Sequence, residues 1–291
     1  MYFRILIRRL PRFRVLHVVY PVGISPLAWP LLMVLAGKFF GLKVVLDYPG
    51  PLTLSRLRGK SLLVQKFWHL SDRVLVPSRY QQQLVNMLGG RASCVHHPAV
   101  CGRISPRTID RVQPKLLVVA DLEEENNIAC LIRAYKLVKQ KYPRTELAVI
   151  GSGSQRTGLE RLLGADTRSG VTFVSRGDRP ERHRWFAACD LYVNCSTVDC
   201  LTGATLEAMA HGLPVLTTPL GSDLTAFRDH DNIISFSYNN HGALADRIIE
   251  LVEEPGLVQS LSRRARETAQ LLERQMAPLQ CRDLYRSLTA D

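Results

Sequence analysis

Asp199-Cys-Leu-Thr-Gly-Ala-Thr-Leu-Glu207-Ala-Met-Ala-His-Gly-Leu-Pro-Val215 is the stretch on which the fold turns. The apolar run at 191–194 reads as a strand that ends by Cys195, and 214–217 reads as the next strand. What lies between must be a loop and a crossover helix of a parallel sheet, predicted over 203–211. Two carboxylates stand eight positions apart, Asp199 in the loop and Glu207 one turn into the helix. Gly203 opens that helix. Lacking a Cβ, it lets the backbone come close to an anion held by the unpaired N–H groups of a helix N-terminus.

The same alternation runs outward in both directions. Upstream, strands are predicted over 115–120, 146–150 and 171–174, with helices over 128–141, 156–163 and 179–188. Downstream come a helix near 222–227, a strand over 233–236, and helices over 242–253 and 254–288. A shorter series precedes them, with strands over 15–20, 43–47, 73–76 and 92–96 and helices over 26–40, 65–70 and 79–88. The stretch 98–114 is polar, rich in Pro, Arg and Ser, and buries little. The fold class is therefore α/β, two Rossmann-like, doubly wound parallel-sheet domains. The expected division is a partial N-terminal domain over 1–100, a linker over 101–114, a C-terminal domain over 115–270, and a terminal helix over 271–291 packing back toward the N-terminal domain.

Composition supports a globular chain: 46% hydrophobic and 22% charged over 291 residues, enough for two ordinary domains. The seven cysteines are scattered without a C-x-x-C pair, which suits a reducing cytosol and speaks against a zinc or redox centre. Adjacent His96 and His97 sit on a predicted strand and so point to opposite faces, which excludes a shared ion.

The net charge of +12 attracts anions. No recognition motif accompanies it, so nucleic acid is not expected as a partner. Its densest part is the start, where Arg4, Arg8, Arg9, Arg12 and Arg14 are interleaved with apolar and aromatic residues. That segment reads either as a membrane-surface contact or as an edge strand with solvated arginines. No secretory signal is expected, and the apolar stretch 26–42, broken by Pro30, Gly37 and Lys38, reads as a buried helix and not a membrane span. A cytoplasmic protein, peripheral at the inner membrane face, is the expected placement.

The stretch from Asp199 to Val215 resembles the signature of the family-four (group 1) retaining glycosyltransferases of the GT-B fold, with its two spaced carboxylates and E-A-M-A-x-G-x-P-V ending. Further matches follow in order: Val149-Ile-Gly-Ser-Gly153 resembles the family's V-x-V-G-x-G turn, 171–196 its V-x-F-x-G-R block, and Leu70 to Ser78 its A-D-x-V-I-x-x-S strand. The resemblance implies transfer of a sugar from a nucleoside diphosphate sugar, with retention at the anomeric carbon and with neither cofactor nor metal. Carried over residue by residue, it implies that Asp199 contacts the transferred sugar and Glu207 the ribose. Leu201, Thr202, Gly203 and Ala204 would present backbone N–H groups to the diphosphate. Gly151, Ser152, Gly153, Arg176, Gly177 and Asn126 would line the rest of the donor. The acceptor would be a glycan or a lipid-linked molecule.

Three departures stand beside the resemblance. Members usually begin with a glycine-rich loop and further strand–helix units that have no counterpart here, which implies an incomplete N-terminal domain. Asp121 and Asn126 occupy the places of the family's phosphate-binding arginine and lysine, and Glu123, Glu124 and Glu125 lie between them. A carboxylate held against a phosphate costs about 4 kcal/mol at an effective dielectric near 20; the same acids also suit a solvated turn that opens the helix at Asn127. Pro49 takes the place of a histidine near the reacting sugar, leaving Asp47 or Tyr48 as neighbours. These departures support a second reading, a catalytically inactive scaffold or a half-enzyme whose N-terminal domain is completed by a partner chain.

Overall fold

The computed structural model describes residues 13–19, 28–48, 61–76, 79–94, 109, 111–167, 170–175, 179–196, 203–218, 227–274 and 278–290. The chain divides into two compact units, residues 1–98 with 275–291 and residues 99–274.

The first unit opens with β1 (Val15–Val19), α1 (Ala28–Phe39), β2 (Lys43–Asp47), α2 (Ser61–Leu70), β3 (Arg73–Val76), α3 (Arg79–Met87) and β4 (Ala92–Cys94). Its parallel sheet has the order β1-β2-β3-β4. A sheet that grows in one direction through right-handed crossovers carries its crossover helices on a single face. On that face Val18, Leu46, Val74 and Val76 pack with Met33 of α1, Trp68 of α2 and Leu84 and Val85 of α3. The alternate residues Val15, Val45 and Leu75 turn to the opposite face and need a different cover.

The second unit contains β5 (Lys115–Val119), a 3-10 turn (Glu124–Asn126), α4 (Ile128–Lys141), β6 (Glu146–Ile150), α5 (Arg156–Thr167), β7 (Val171–Val174), α6 (Arg179–Ala188), β8 (Leu191–Asn194), α7 (Gly203–Ala210), β9 (Val215–Thr217), β10 (Ile234–Ser235), α8 (His241–Glu253) and α9 (Pro255–Arg274). All neighbouring strands are parallel, in the order β10-β9-β8-β5-β6-β7. Burial on both faces explains the unbroken apolar run of β5, whose Leu116, Leu117 and Val118 are all buried. Gly164 interrupts α5 with φ 71°, a left-handed position that suits glycine and ends the regular helix after Leu163.

The last helix, α10 (Pro278–Thr289), belongs to the first unit. Cys281, Leu284, Tyr285 and Leu288 pack against Val45 and Leu75 and so cover the face that the crossover helices leave open. Two polar side chains on this face, His17 and Asp47, are drawn into the contact: the Tyr285 hydroxyl bonds His17 Nδ1, and His17 Nε2 lies 3.1 Å from Asp47 Oδ2.

One expected element differs. The single helix read over 254–288 is two helices, α9 and α10. Proline has no N–H and its ring collides with the carbonyl four residues back, so Pro278 starts a helix at its first position and cannot continue one. The helix expected at 222–227 lies outside the described residues except for Phe227, which is not helical. Pro49, His96, His97 and the arginines at 4–12 also lie outside them. No helix among the described residues is long and apolar enough to cross a membrane.

Candidate active site

In the second unit β5 pairs with β6 on one side and β8 on the other. The strand order reverses there, and open α/β sheets bind ligands outside the carboxyl ends of the strands at such a point. The segments that follow β5, β6 and β8 carry Asn126, then Gly151, Ser152 and Gly153, then Gly203, Ala204 and Glu207. One edge of the sheet therefore gathers every predicted donor residue that is described. Asp199, Arg176, Gly177, Leu201 and Thr202 lie outside the described residues.

The start of the loop after β8 is pinned from three sides. Asn194 Oδ1 accepts from the Ser196 amide at 3.0 Å, its Nδ2 reaches Thr205 Oγ1 of α7 at 3.4 Å, and the Thr218 hydroxyl donates to the Ser196 carbonyl at 2.7 Å. This ties β8, α7 and the segment after β9 together around one turn.

Glu207 is buried, and its carboxylate meets α6. Arg182 Nε stands 3.1 Å from Glu207 Oε2 and 3.3 Å from Oε1, with His183 Nε2 at 3.9 Å from Oε1. Behind them His183 Nδ1 and His211 Nε2 are 3.0 Å apart, and the His211 ring stacks on Phe186. Burial, and then the neighbouring His183, push the His211 pKa down to about 4, so His211 is neutral near pH 7. Sequence reading missed Arg182, His183 and His211. The signal available was Arg182 and His183 on a helix that precedes β8, but nothing in their spacing points at Glu207.

The glycines of the edge divide into two kinds. A Cβ on Gly151 would stand 1.8 Å from the Ala120 carbonyl oxygen, and one on Gly153 2.4 Å from the Leu122 carbonyl oxygen. The loop after β5 runs against the loop after β6, with Leu122 N donating to Ser152 O and Gln155 N to Leu122 O, both at 2.9 Å. That close approach alone requires both glycines. A Cβ on Gly203, by contrast, would meet nothing within 4 Å among the described residues, so none of them demands glycine there.

The acidic run after β5 is ordered by its own contacts. Glu123 accepts from the Ser154 amide at 3.0 Å and from the Ser154 hydroxyl at 2.7 Å, placing a carboxylate against the turn that starts α5. Asn126 Nδ2 donates to the Asp121 carbonyl at 2.8 Å, and Asn127 is left-handed at φ 47° before α4 begins. Among the described residues no three His, Cys, Asp or Glu converge on a metal position.

The family profile described as Glycosyl transferases group 1 matches residues 105–268, more than half of the chain. The chain belongs to this family. Among its curated relatives, the phosphatidyl-myo-inositol mannosyltransferase of Propionibacterium freudenreichii is 29% identical over 136 residues, 46% of this chain and 33% of that protein. The alpha-monoglucosyldiacylglycerol synthase of Acholeplasma laidlawii is 24% identical over 176 residues, 59% of this chain and 43% of that protein. The matched segments thus span between a third and a half of these relatives. Among solved structures, the sucrose-phosphate synthase of Thermosynechococcus elongatus superposes with a TM-score of 0.73 at 20% identity, over 96% of this chain and 74% of that one. HepE of Anabaena, solved with UDP and glucose, superposes with a TM-score of 0.72 at 16% identity, over 91% and 75%. These likenesses make the fold of this group 1 glycosyl transferase GT-B-like.

Proposed function

We propose that this glycosyl transferase moves a sugar from a nucleoside diphosphate sugar to an acceptor hydroxyl with retention at the anomeric carbon and without a metal or other cofactor. The bond from the anomeric carbon to the leaving diphosphate breaks as the bond to the acceptor oxygen forms on the same face, and the acceptor proton passes to a leaving phosphate oxygen. The protein's contribution is to position both partners and stabilise charge on the leaving group. Glu207 accepts from the ribose diol, Asp199 from hydroxyls of the transferred sugar, and the N–H groups of 201–204 hold the diphosphate. Gly151, Ser152, Gly153, Arg176, Gly177 and Asn126 line the remaining donor surface.

The observation that carries this reading is the pairing of a carboxylate with an open helix start on one turn of α7. Arg182 holds the Glu207 carboxylate in place while using only part of its acceptor capacity, which is about four lone-pair sites. No described residue stands within 4 Å of where a Cβ on Gly203 would lie. The names of the two curated relatives favour a lipid-linked acceptor, which would place the enzyme at the inner membrane face.

A second reading is favoured by one contact. Glu123 already supplies an anion to the Ser154 amide, and Asp121 stands where the family carries an arginine. A chain built so is a scaffold, or a half-enzyme completed by a partner chain. Calorimetric titration with UDP, GDP and their sugar conjugates separates the two, using Glu207→Gln as a control that keeps the shape of the side chain. Saturable binding that the control loses supports the transferase; absence of binding at millimolar nucleotide supports the scaffold.

A further inference from the structure

At the amino ends of β5 and β6, opposite the edge described above, the second unit contains a cleft of about 1080 Å³. Among the described residues its lining carries Arg111, Lys115, Lys139, Lys141 and Arg144 against Glu146 and Glu253. Asp121 and Glu123 to Glu125 follow the carboxyl end of β5, while this cationic group surrounds its amino end.

The cations are not all spent on internal pairs. Lys141 closes on Glu253 at 2.5 Å, and Tyr142 donates to the same carboxylate at 2.8 Å. Lys115 lies 3.5 Å from Glu146, but both side chains are well exposed, so that pair holds its lysine weakly. Lys139 is fixed in place: it donates to the Thr145 carbonyl at 3.0 Å, sits over the Tyr135 ring, and occupies space that a Cβ on Gly170 would invade at 2.9 Å. Arg111 and Arg144 are exposed on the rim, and among the described residues neither guanidinium has a hydrogen-bond or ion-pair partner. A planar fork of donors beside a fixed ammonium matches the oxygens of a phosphate. Val112, Pro114, Pro143, Val252 and Pro255 add apolar walls beside the charge.

We infer that this cleft is a second anion site, which binds a phosphate group carried either by a lipid headgroup or by a small soluble phosphate. It lies at the wrong end of the sheet for the sugar donor, so it stands or falls independently of the proposed transfer reaction.

The test compares the full chain with Arg111→Glu/Arg144→Glu and with a charge-matched control, Arg161→Glu/Arg263→Glu, which changes two other exposed arginines. One arm measures co-sedimentation with phosphatidylcholine vesicles with and without phosphatidylglycerol; the other titrates inorganic pyrophosphate. If the site serves lipid, binding to the anionic vesicles falls about tenfold in the cleft variant and not in the control, as loss of the guanidinium contacts requires. If it serves a soluble phosphate, the pyrophosphate isotherm weakens by a similar factor in the cleft variant only. Hydrogen exchange on the unmodified chain gives a readout that does not depend on the variants folding: pyrophosphate or anionic vesicles should protect residues 139–146. Equal losses in both variants, or no binding and no protection in either arm, overturn the inference.

Discussion

Arg182 Nε lies within 3.3 Å of both carboxylate oxygens of Glu207, joining α6 to α7 through a side chain that is only 8% exposed. Replacing one partner leaves the other charged, buried and unanswered, and such losses cost about 3 to 5 kcal/mol when the survivor is fully desolvated. In Arg182→Met the survivor is Glu207, 8% exposed but with His183 Nε2 still 3.9 Å away, so the loss falls at or just below the low end. Arg182→Met should destabilise the second unit by about 2 to 3 kcal/mol in urea unfolding, and Arg182→Met/Glu207→Gln should recover part of it. Additive losses in the double-mutant cycle would sink the pairing.

His211 supplies a pH dependence whose sign is fixed by its environment. The folded chain holds its pKa at about 4 against an ordinary 6.5, so between these values the unfolded chain binds more protons. Stability should fall as pH drops from about 6.5 to about 4, by up to about 3 kcal/mol from this residue, and level off below. His211→Gln should flatten that part of the profile in thermal melts; an unchanged slope would remove His211 from the account.

The two kinds of glycine give opposite expectations. Gly151→Ala drives a methyl into the Ala120 carbonyl and should cost about 3 kcal/mol or more. Gly203→Ala meets no described residue within 4 Å and should change stability by less than about 0.5 kcal/mol. If α7 receives a diphosphate, the same Gly203→Ala chain should bind UDP or GDP more weakly in calorimetry. Undiminished nucleotide binding by Gly203→Ala would detach this helix start from the donor.

The terminal helix is held by more than apolar contact. Tyr285 keeps its hydroxyl proton over a wide range, since burial and then the nearby Cys281 raise its pKa to about 12. The arrangement in which every donor meets an acceptor has Tyr285 donating to His17 Nδ1 and His17 Nε2 donating to Asp47. Tyr285→Phe strips His17 of that partner and should cost about 1 to 2 kcal/mol, read as faster hydrogen exchange across 278–289. Exchange as slow as in the unmodified chain would assign the hold to Leu284 and Leu288 alone.

Much of the fold was legible because both signals that carry it are local. Apolar runs such as 115–119 and the 3.6-residue stripe of 128–141 do not depend on distant residues. The Asp199 to Val215 stretch likewise identified its own helix and strand, and it led to the family that the profile match establishes. What remained hidden depends on packing between segments far apart in the chain. Arg182 and Glu207 are 25 residues apart on different helices, and Glu123 reaches Ser154 across 31. The glycines of 151–153 read correctly as a turn, but spacing gave no hint that a neighbouring loop, running within bonding distance, already demands them. Pro278 stands inside the stretch read as one helix, and because proline cannot continue a helix the chain makes two there.

Because α10 packs on one face of the first unit's sheet, Val45 and Leu75 gain that cover only once residues 278–289 have been made. During synthesis the ribosome delivers 99–274 in between, so the second unit has all of its sequence available first. Val15, Val45 and Leu75 meet their partners on α10 only after that interval, and a chain stopped before Pro278 would make the second unit without those contacts in the first.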